Sequence, residues 1–223
     1  MPYTLSSSTL CLMEDCPRCF WLQFNKNIKR PFGIFPSLPS GMDKVLKAHF
    51  DSFRDKNELP PELKDKGIKA ELFKDVELLE EWRDNFRGIL WKDENDNILR
   101  GAVDNILVKD KKLIVLDYKT RGFPLKDDTA EYSRHQLDIY NFLLRKNGYE
   151  TEDYGYLIFY YPKEVNENGD VVFDTELIKM EISVKNAERL FEKALKILAG
   201  EIPKSEESCE YCEWGEKIES SNL

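Results

Sequence analysis

Leu113-Ile114-Val115-Leu116-Asp117-Tyr118-Lys119 is the stretch whose reading decides the fold. Four consecutive apolar residues mark a strand buried on both faces, as in a sheet covered by helices. Side chains two apart in a strand share a face, so Asp117 and Lys119 project together. A carboxylate emerging from the end of such a run needs a partner, because an unpaired buried charge is costly. The turn-like Lys109-Asp110-Lys111-Lys112 precedes it, and residues 98–108 read as a neighbouring strand carrying Asp104. A short hairpin then sets Asp104 beside Asp117. Two carboxylates at close range repel, and a hard divalent cation removes that repulsion by taking oxygens from both. The acid-x-Lys triplet alone says little: Glu62-Leu63-Lys64 and Asp110-Lys111-Lys112 repeat it in polar stretches. Only Asp117 and Lys119 end an apolar strand with an aspartate upstream on its neighbour. The plain alternative is an ordinary ion pair at a strand end.

Working outward, Ser6-Ser7-Ser8 before Leu10, Leu12 and Met13 predicts a short capped helix. The prolines of 31–41 predict a loop, and Val45, Leu46, Phe50 and Phe53 a helix over 42–56. A further helix is expected over 76–86, with Asp75 as N-cap. Residues 88–91 and 98–108 read as strands joined by the turn Asp93-Glu94-Asn95-Asp96-Asn97. A helix over 131–146, strands over 154–161 and 171–183, a helix over 185–198 and a polar tail complete the order. This predicts an α/β fold, a mixed central sheet flanked by helices. No repeat, low-complexity tract or linker divides the chain, so 1–223 is expected to be one domain with its core over about 40–183.

Hydrophobic residues at 41% and charged residues at 34% describe a globular protein. No apolar run approaches the roughly 20 residues of a membrane helix. The opening MPYTLSSSTLCLMED lacks a basic n-region and a long apolar h-region, so a cytosolic protein with no membrane partner is expected. The net charge of −9 does not by itself favour a nucleic-acid partner. Basic groups are nonetheless concentrated locally, at Lys26, Lys29 and Arg30 and at Lys44 and Lys47. Five cysteines in a reducing compartment point to metal before disulfides. Cys16-Pro17-Arg18-Cys19 and Cys209-Glu210-Tyr211-Cys212 are two CxxC pairs near opposite ends. They fit a tetrahedral zinc or an iron–sulfur cluster, and spacing alone leaves both open. Cys11, between Leu10 and Leu12, reads as a small packed residue.

Gln136 and Tyr140, four apart on a helix, share a face, and His49 lies on the helix over 42–56. Taken singly these read as a polar surface pair and a core histidine. In order, however, His49, Gly101-x-x-Asp104, Asp117-Tyr118-Lys119 and Gln136-x-x-x-Tyr140 resemble the RecB-type branch of the PD-(D/E)XK nucleases, over about residues 5–212. That resemblance implies a restriction-endonuclease-like core and metal-dependent hydrolysis of DNA, as an exonuclease on single strands or ends. It implies that His49, Asp104, Asp117 and the Tyr118 carbonyl ligate Mg²⁺ or Mn²⁺ and that Lys119 acts on the attacking water. Gln136 and Tyr140 would hold the lysine and the DNA strand. It also implies a helicase or CRISPR adaptation proteins as partners. Some RecB-type nucleases, among them CRISPR-associated exonucleases and AddB subunits, carry a [4Fe–4S] cluster that clasps the two ends of the domain. Cys16, Cys19, Cys209 and Cys212 would hold it here, joining 5–30 to 200–215, with Zn²⁺ as the alternative. Two departures stand out: Val103 replaces the proline before Asp104, and the cysteines divide two and two rather than one and three. A non-catalytic nucleic-acid- or partner-binding module on the same fold is the second reading, prompted by the acidic balance.

Overall fold

The computed structural model describes residues 2–221 apart from 32, 34 and 35, so part of the expected loop over 31–41 lies outside the described residues. In chain order the elements are β1 (Thr4–Ser6), α1 (Ser7–Asp15), α2 (Pro17–Asn25), α3 (Ser37–Arg54), α4 (Pro61–Lys64), β2 (Glu71–Leu72), α5 (Val76–Arg83), β3 (Ile89–Lys92), β4 (Ile98–Gly101), β5 (Asn105–Lys109) and β6 (Lys112–Thr120). A 3₁₀ turn over Thr129–Ser133 leads into α6 (Arg134–Lys146), followed by β7 (Tyr154–Val165), β8 (Val171–Glu181), α7 (Val184–Ala199) and α8 (Glu210–Ser220).

The apolar run 113–116 is the inner part of β6, which sits third in a mixed sheet ordered β2-β5-β6-β7-β8. Among the described strands of this sheet only β6 and β7 run parallel, and α6 supplies the crossover such a pair requires. Period-two alternation divides the sheet cleanly. Leu113 and Val115 of β6, with Leu157 and Phe159 of β7, join the core on one face with α1, α5, α6 and α7. Ile114, Leu116 and Tyr118, with Tyr156, Ile158 and Tyr160, face α3 and α4. Asp117 and Lys119 continue the first row and so point toward α6.

Helix α6 packs against β3, β4 and β6. Its residues 137–144 are all buried, the mark of a helix enclosed all round. Gly101 makes that enclosure possible: a Cβ there would stand 2.7 Å from two ring carbons of Tyr140.

The α/β class with mixed sheets and flanking helices is as expected, but details differ for physical reasons. Among the described residues there are two sheets, since β4 pairs with β1 and β3 and not with the larger sheet. The expected strand over 98–108 is therefore two strands, with a break at 102–104 that leaves Asp104 outside both. The end of α5 grips the break: the Val103 N–H donates to the Trp82 carbonyl (3.1 Å), and Arg83 Nε donates to the Asp104 carbonyl (2.9 Å). Helix α3 starts at Ser37, inside the expected loop, because Pro39 falls in its first turn, where no N–H has an intrahelical partner. Helix α5 ends at Arg83 rather than 86. Asp117 and Lys119 fall in the last four residues of β6, which ends at Thr120. The cysteine segments form α2 and α8, where a polar tail was expected after 200.

Arg83 is buried, and its guanidinium also donates to Asp51 (2.8 and 3.1 Å) and Glu80 (2.7 Å). Asp51 in turn holds Arg54, which donates to the Phe73 carbonyl (2.6 Å) and to Asn105 Oδ1 (2.6 Å). Arg83→Ala leaves Asp51 and the Asp104 carbonyl under-partnered and should cost about 2–3 kcal/mol in urea unfolding. An unchanged midpoint would show that the break does not depend on this grip.

Candidate active site and cysteine centre

Asp117 is 1% exposed. The Lys119 ammonium contacts its Oδ2, yet that oxygen receives no hydrogen bond. Lys119 Nζ donates instead to Gln136 Oε1 (2.8 Å), and Gln136 Nε2 donates to the Tyr140 hydroxyl (2.7 Å). Strand alternation and one helical turn thus align Asp117, Lys119, Gln136 and Tyr140 in one row. Burial, and then the Asp117 charge, push the Tyr140 hydroxyl far up, so it remains a neutral hydrogen-bonding group.

Asp104 joins this row from the strand break. The last pair of the β5–β6 ladder, Asn105 with Leu116, sets it next to Asp117. Its Oδ2 accepts from the Tyr118 N–H at 2.9 Å. Burial first, and the Asp117 charge second, push its carboxyl up to about 7 from an ordinary 3.8; Lys47 and the Tyr118 amide act the other way. The Lys47 ammonium lies 3.4 Å from Asp104 Oδ1 and donates to Asp43 (2.9 Å). Lys47 and Asp43 are site neighbours that sequence reasoning missed. Their one-turn spacing on α3 was visible, but nothing marked which way that face pointed. Arg54 and Arg83 were missed too, although each stands on an apolar stripe, after Leu46 and Phe50 and after Leu79 respectively.

His49 is the predicted site residue that the structure does not bring to this row. It belongs to the helix over the opposite face of the sheet. Its Nε2 lies 2.9 Å from Glu62 Oε1, which also accepts from the Tyr160 hydroxyl (3.1 Å). The Tyr118 side chain points to that face as well; its hydroxyl accepts from Asn105 Nδ2 (2.6 Å) and its ring packs on Phe50. Only its main chain meets the carboxylates.

In a separate cluster, Cys16 and Cys209 are the N-cap residues of α2 and α8, and Cys19 and Cys212 lie one turn in. Helix α2 docks on the end of α7, where Trp21 Nε1 donates to the Gly200 carbonyl (3.0 Å) and Asn25 to the Leu198 carbonyl (3.1 Å). The four sulfurs then lie within 4.8 Å of one another, and they are the one group of three or more possible ligands so clustered among the described residues. Burial pushes the Cys19 and Cys212 thiols up. It opposes the Cys16 thiolate too, but the backbone amides of Glu206 and Cys19 outweigh it and draw Cys16 down to about 7. Burial works against the Arg30 cation, yet the sulfurs of Cys19 and Cys209 hold it charged. Cys11 is half-buried on α1 and stands outside this group.

The family model of the PD-(D/E)XK nuclease superfamily matches residues 4–216. The chain belongs to that superfamily. No curated protein matches it. PD-(D/E)XK proteins are in general nucleases that use divalent metals. The carboxylates fit such an ion on structural grounds: one buried oxygen lacks a hydrogen bond, and burial, with the Asp117 charge added to it, keeps a proton on Asp104 to near neutrality. The four cysteines are compatible with a second, separate metal.

The raised Asp104 gives a test of sign. The native state holds this proton more tightly than the unfolded chain, so ionising it opposes folding. Without added divalent cation, stability should fall as pH rises from 3.8 to about 7, by something on the order of 2–4 kcal/mol. Asp104→Asn should flatten that fall in calorimetric melts between pH of about 4 and about 8. An equally steep fall in the variant would contradict the assignment.

Proposed function

We propose that this protein hydrolyses DNA phosphodiester bonds with Mg²⁺ or Mn²⁺, acting on single strands or ends as an exonuclease. The observation that carries the reading is the continuous row Asp117–Lys119–Gln136–Tyr140 facing the protonation-prone Asp104. Asp104, Asp117 and the Tyr118 carbonyl are the proposed ligands, and His49 would join them by leaving Glu62. The bound ion would supply Lewis acidity at the phosphate and acidify a coordinated water. Lys119, fixed by Gln136, orients or deprotonates that water and offsets charge developing on the phosphate. Gln136 and Tyr140 position the lysine and the strand. A cleft of about 470 Å³ adjoins them, lined also by Ser7, Arg87 and Arg100, and offers donors for backbone phosphates.

The likeness to the RecB-type branch supports a helicase or a CRISPR adaptation complex as the setting. Among the described residues no helix is long and apolar enough to cross a membrane, and five cysteines without a disulfide suit a reducing, cytoplasmic compartment. The metal on the cysteines would staple 5–30 to 200–215 and take no part in the chemistry on DNA. The net charge of −9 favours a second reading, a binding module that does not cleave.

Cleavage of end-labelled single- and double-stranded DNA with Mg²⁺ and Mn²⁺ decides between them. Asp117→Ala and Lys119→Ala should each lower the rate by about 10²–10³-fold or more with an unchanged circular dichroism spectrum. His49→Ala should cost less, since His49 must first leave Glu62. Wild-type rates in either of the first two variants would overturn the site, and no cleavage by wild type would leave the binding module.

A further inference from the structure

We infer that the four-cysteine centre holds one tetrahedral zinc ion and not an iron–sulfur cluster. The inference goes beyond the nuclease reading and does not depend on it. It rests first on sulfur spacing. Cys16 and Cys212 are 3.8 Å apart, and Cys19 is 3.6 Å from both Cys209 and Cys212. All the sulfurs lie within 4.8 Å of one another. Three of the six edges are thus 3.6–3.8 Å, and a regular tetrahedron with edges of about 3.7 Å has its centre about 2.3 Å from each corner, the Zn–S bond length. In a [4Fe–4S] cluster each thiolate binds its own iron, and in a [2Fe–2S] cluster each iron takes two, so in either case cysteine sulfurs on different irons are held apart by the bridging sulfides and cannot all lie this close. Sulfurs already this close leave room for a single ion.

The surroundings agree. Each CxxC pair straddles a helix N-terminus, where free N–H groups favour a thiolate. The amides of Glu206 and Cys19 meet the Cys16 sulfur. Four thiolates on Zn²⁺ leave two negative charges, and Arg30 supplies one positive charge against them: its Nη2 reaches Cys209 Sγ at 3.5 Å. Arg30 is itself steadied by the Tyr211 ring (4.8 Å) and by Asp15 (3.5 Å). A single ferrous ion could occupy the same tetrahedron, but at equal geometry a divalent site binds zinc more tightly than iron. Zinc has no redox chemistry, so the clasp joins residues 190 positions apart without responding to oxidant as a cluster would.

Metal and sulfide analysis of wild-type protein tests this directly. The protein is expressed with zinc and iron both supplied and purified without oxygen. The expected result is about one zinc per chain, with iron and acid-labile sulfide near background and no brown colour. Cobalt loaded into metal-stripped protein should give the visible bands of a tetrahedral tetrathiolate site, a readout that needs no cysteine variant to fold. Stoichiometric iron, with or without sulfide, would overturn the assignment, as would metal-free protein with all its thiols titratable. None of these readouts uses DNA cleavage, so their failure is distinct from failure of the nuclease reading.

Discussion

Two carboxylates, Asp104 and Asp117, share a largely dry corner beside the Tyr118 amide, and the local structure serves to keep them there. Left to themselves they would separate or protonate. Three grips prevent separation. Strand β6 carries Asp117 in the middle of a five-stranded sheet. The β5–β6 register sets Asp104 next to it, and Arg83, at the end of α5, holds the Asp104 carbonyl. Cations then gather around the pair, Lys119 from the same strand and Lys47 from α3. A rigid arrangement of like charges is a poor way to stabilise a protein and a good way to bind a divalent ion.

The same logic links the two ends of the chain to the site. Helix α6 carries Gln136 and Tyr140 and is enclosed between β3, β4, β6 and α7. Helices α1 and α2 close over α7, and their dock is secured where Cys16 and Cys19 meet Cys209 and Cys212. The cysteine segments thus pack on the same layer, α1 and α7, that α6 rests against.

Sequence patterns reached the parts of this arrangement that are local. Period-two alternation in 113–119 put Asp117 and Lys119 on one face, and a four-residue spacing put Gln136 and Tyr140 on one turn. The CxxC pairs announced a thiolate site. Other features depend on contacts that no local pattern encodes. The break at 102–104 lies in a run whose Leu99, Val103 and Ile106 all join the core, and Trp82 and Arg83 hold it. That break also divides one expected sheet into two. His49 has the residue type and order of a ligand, and its pairing with Glu62 across α3 and α4 is a contact that no local pattern encodes. The sulfur spacing, which separates one ion from a cluster, arises only when α2 docks on α7.

The central claim is that Asp104 and Asp117 together form a divalent-cation site. Calorimetric titration of Mn²⁺ into zinc-loaded wild-type protein and into the double variant Asp104→Asn/Asp117→Asn tests it most directly. Saturable binding by wild type that is lost in the folded double variant is the predicted result. Equal binding by both proteins would contradict the claim.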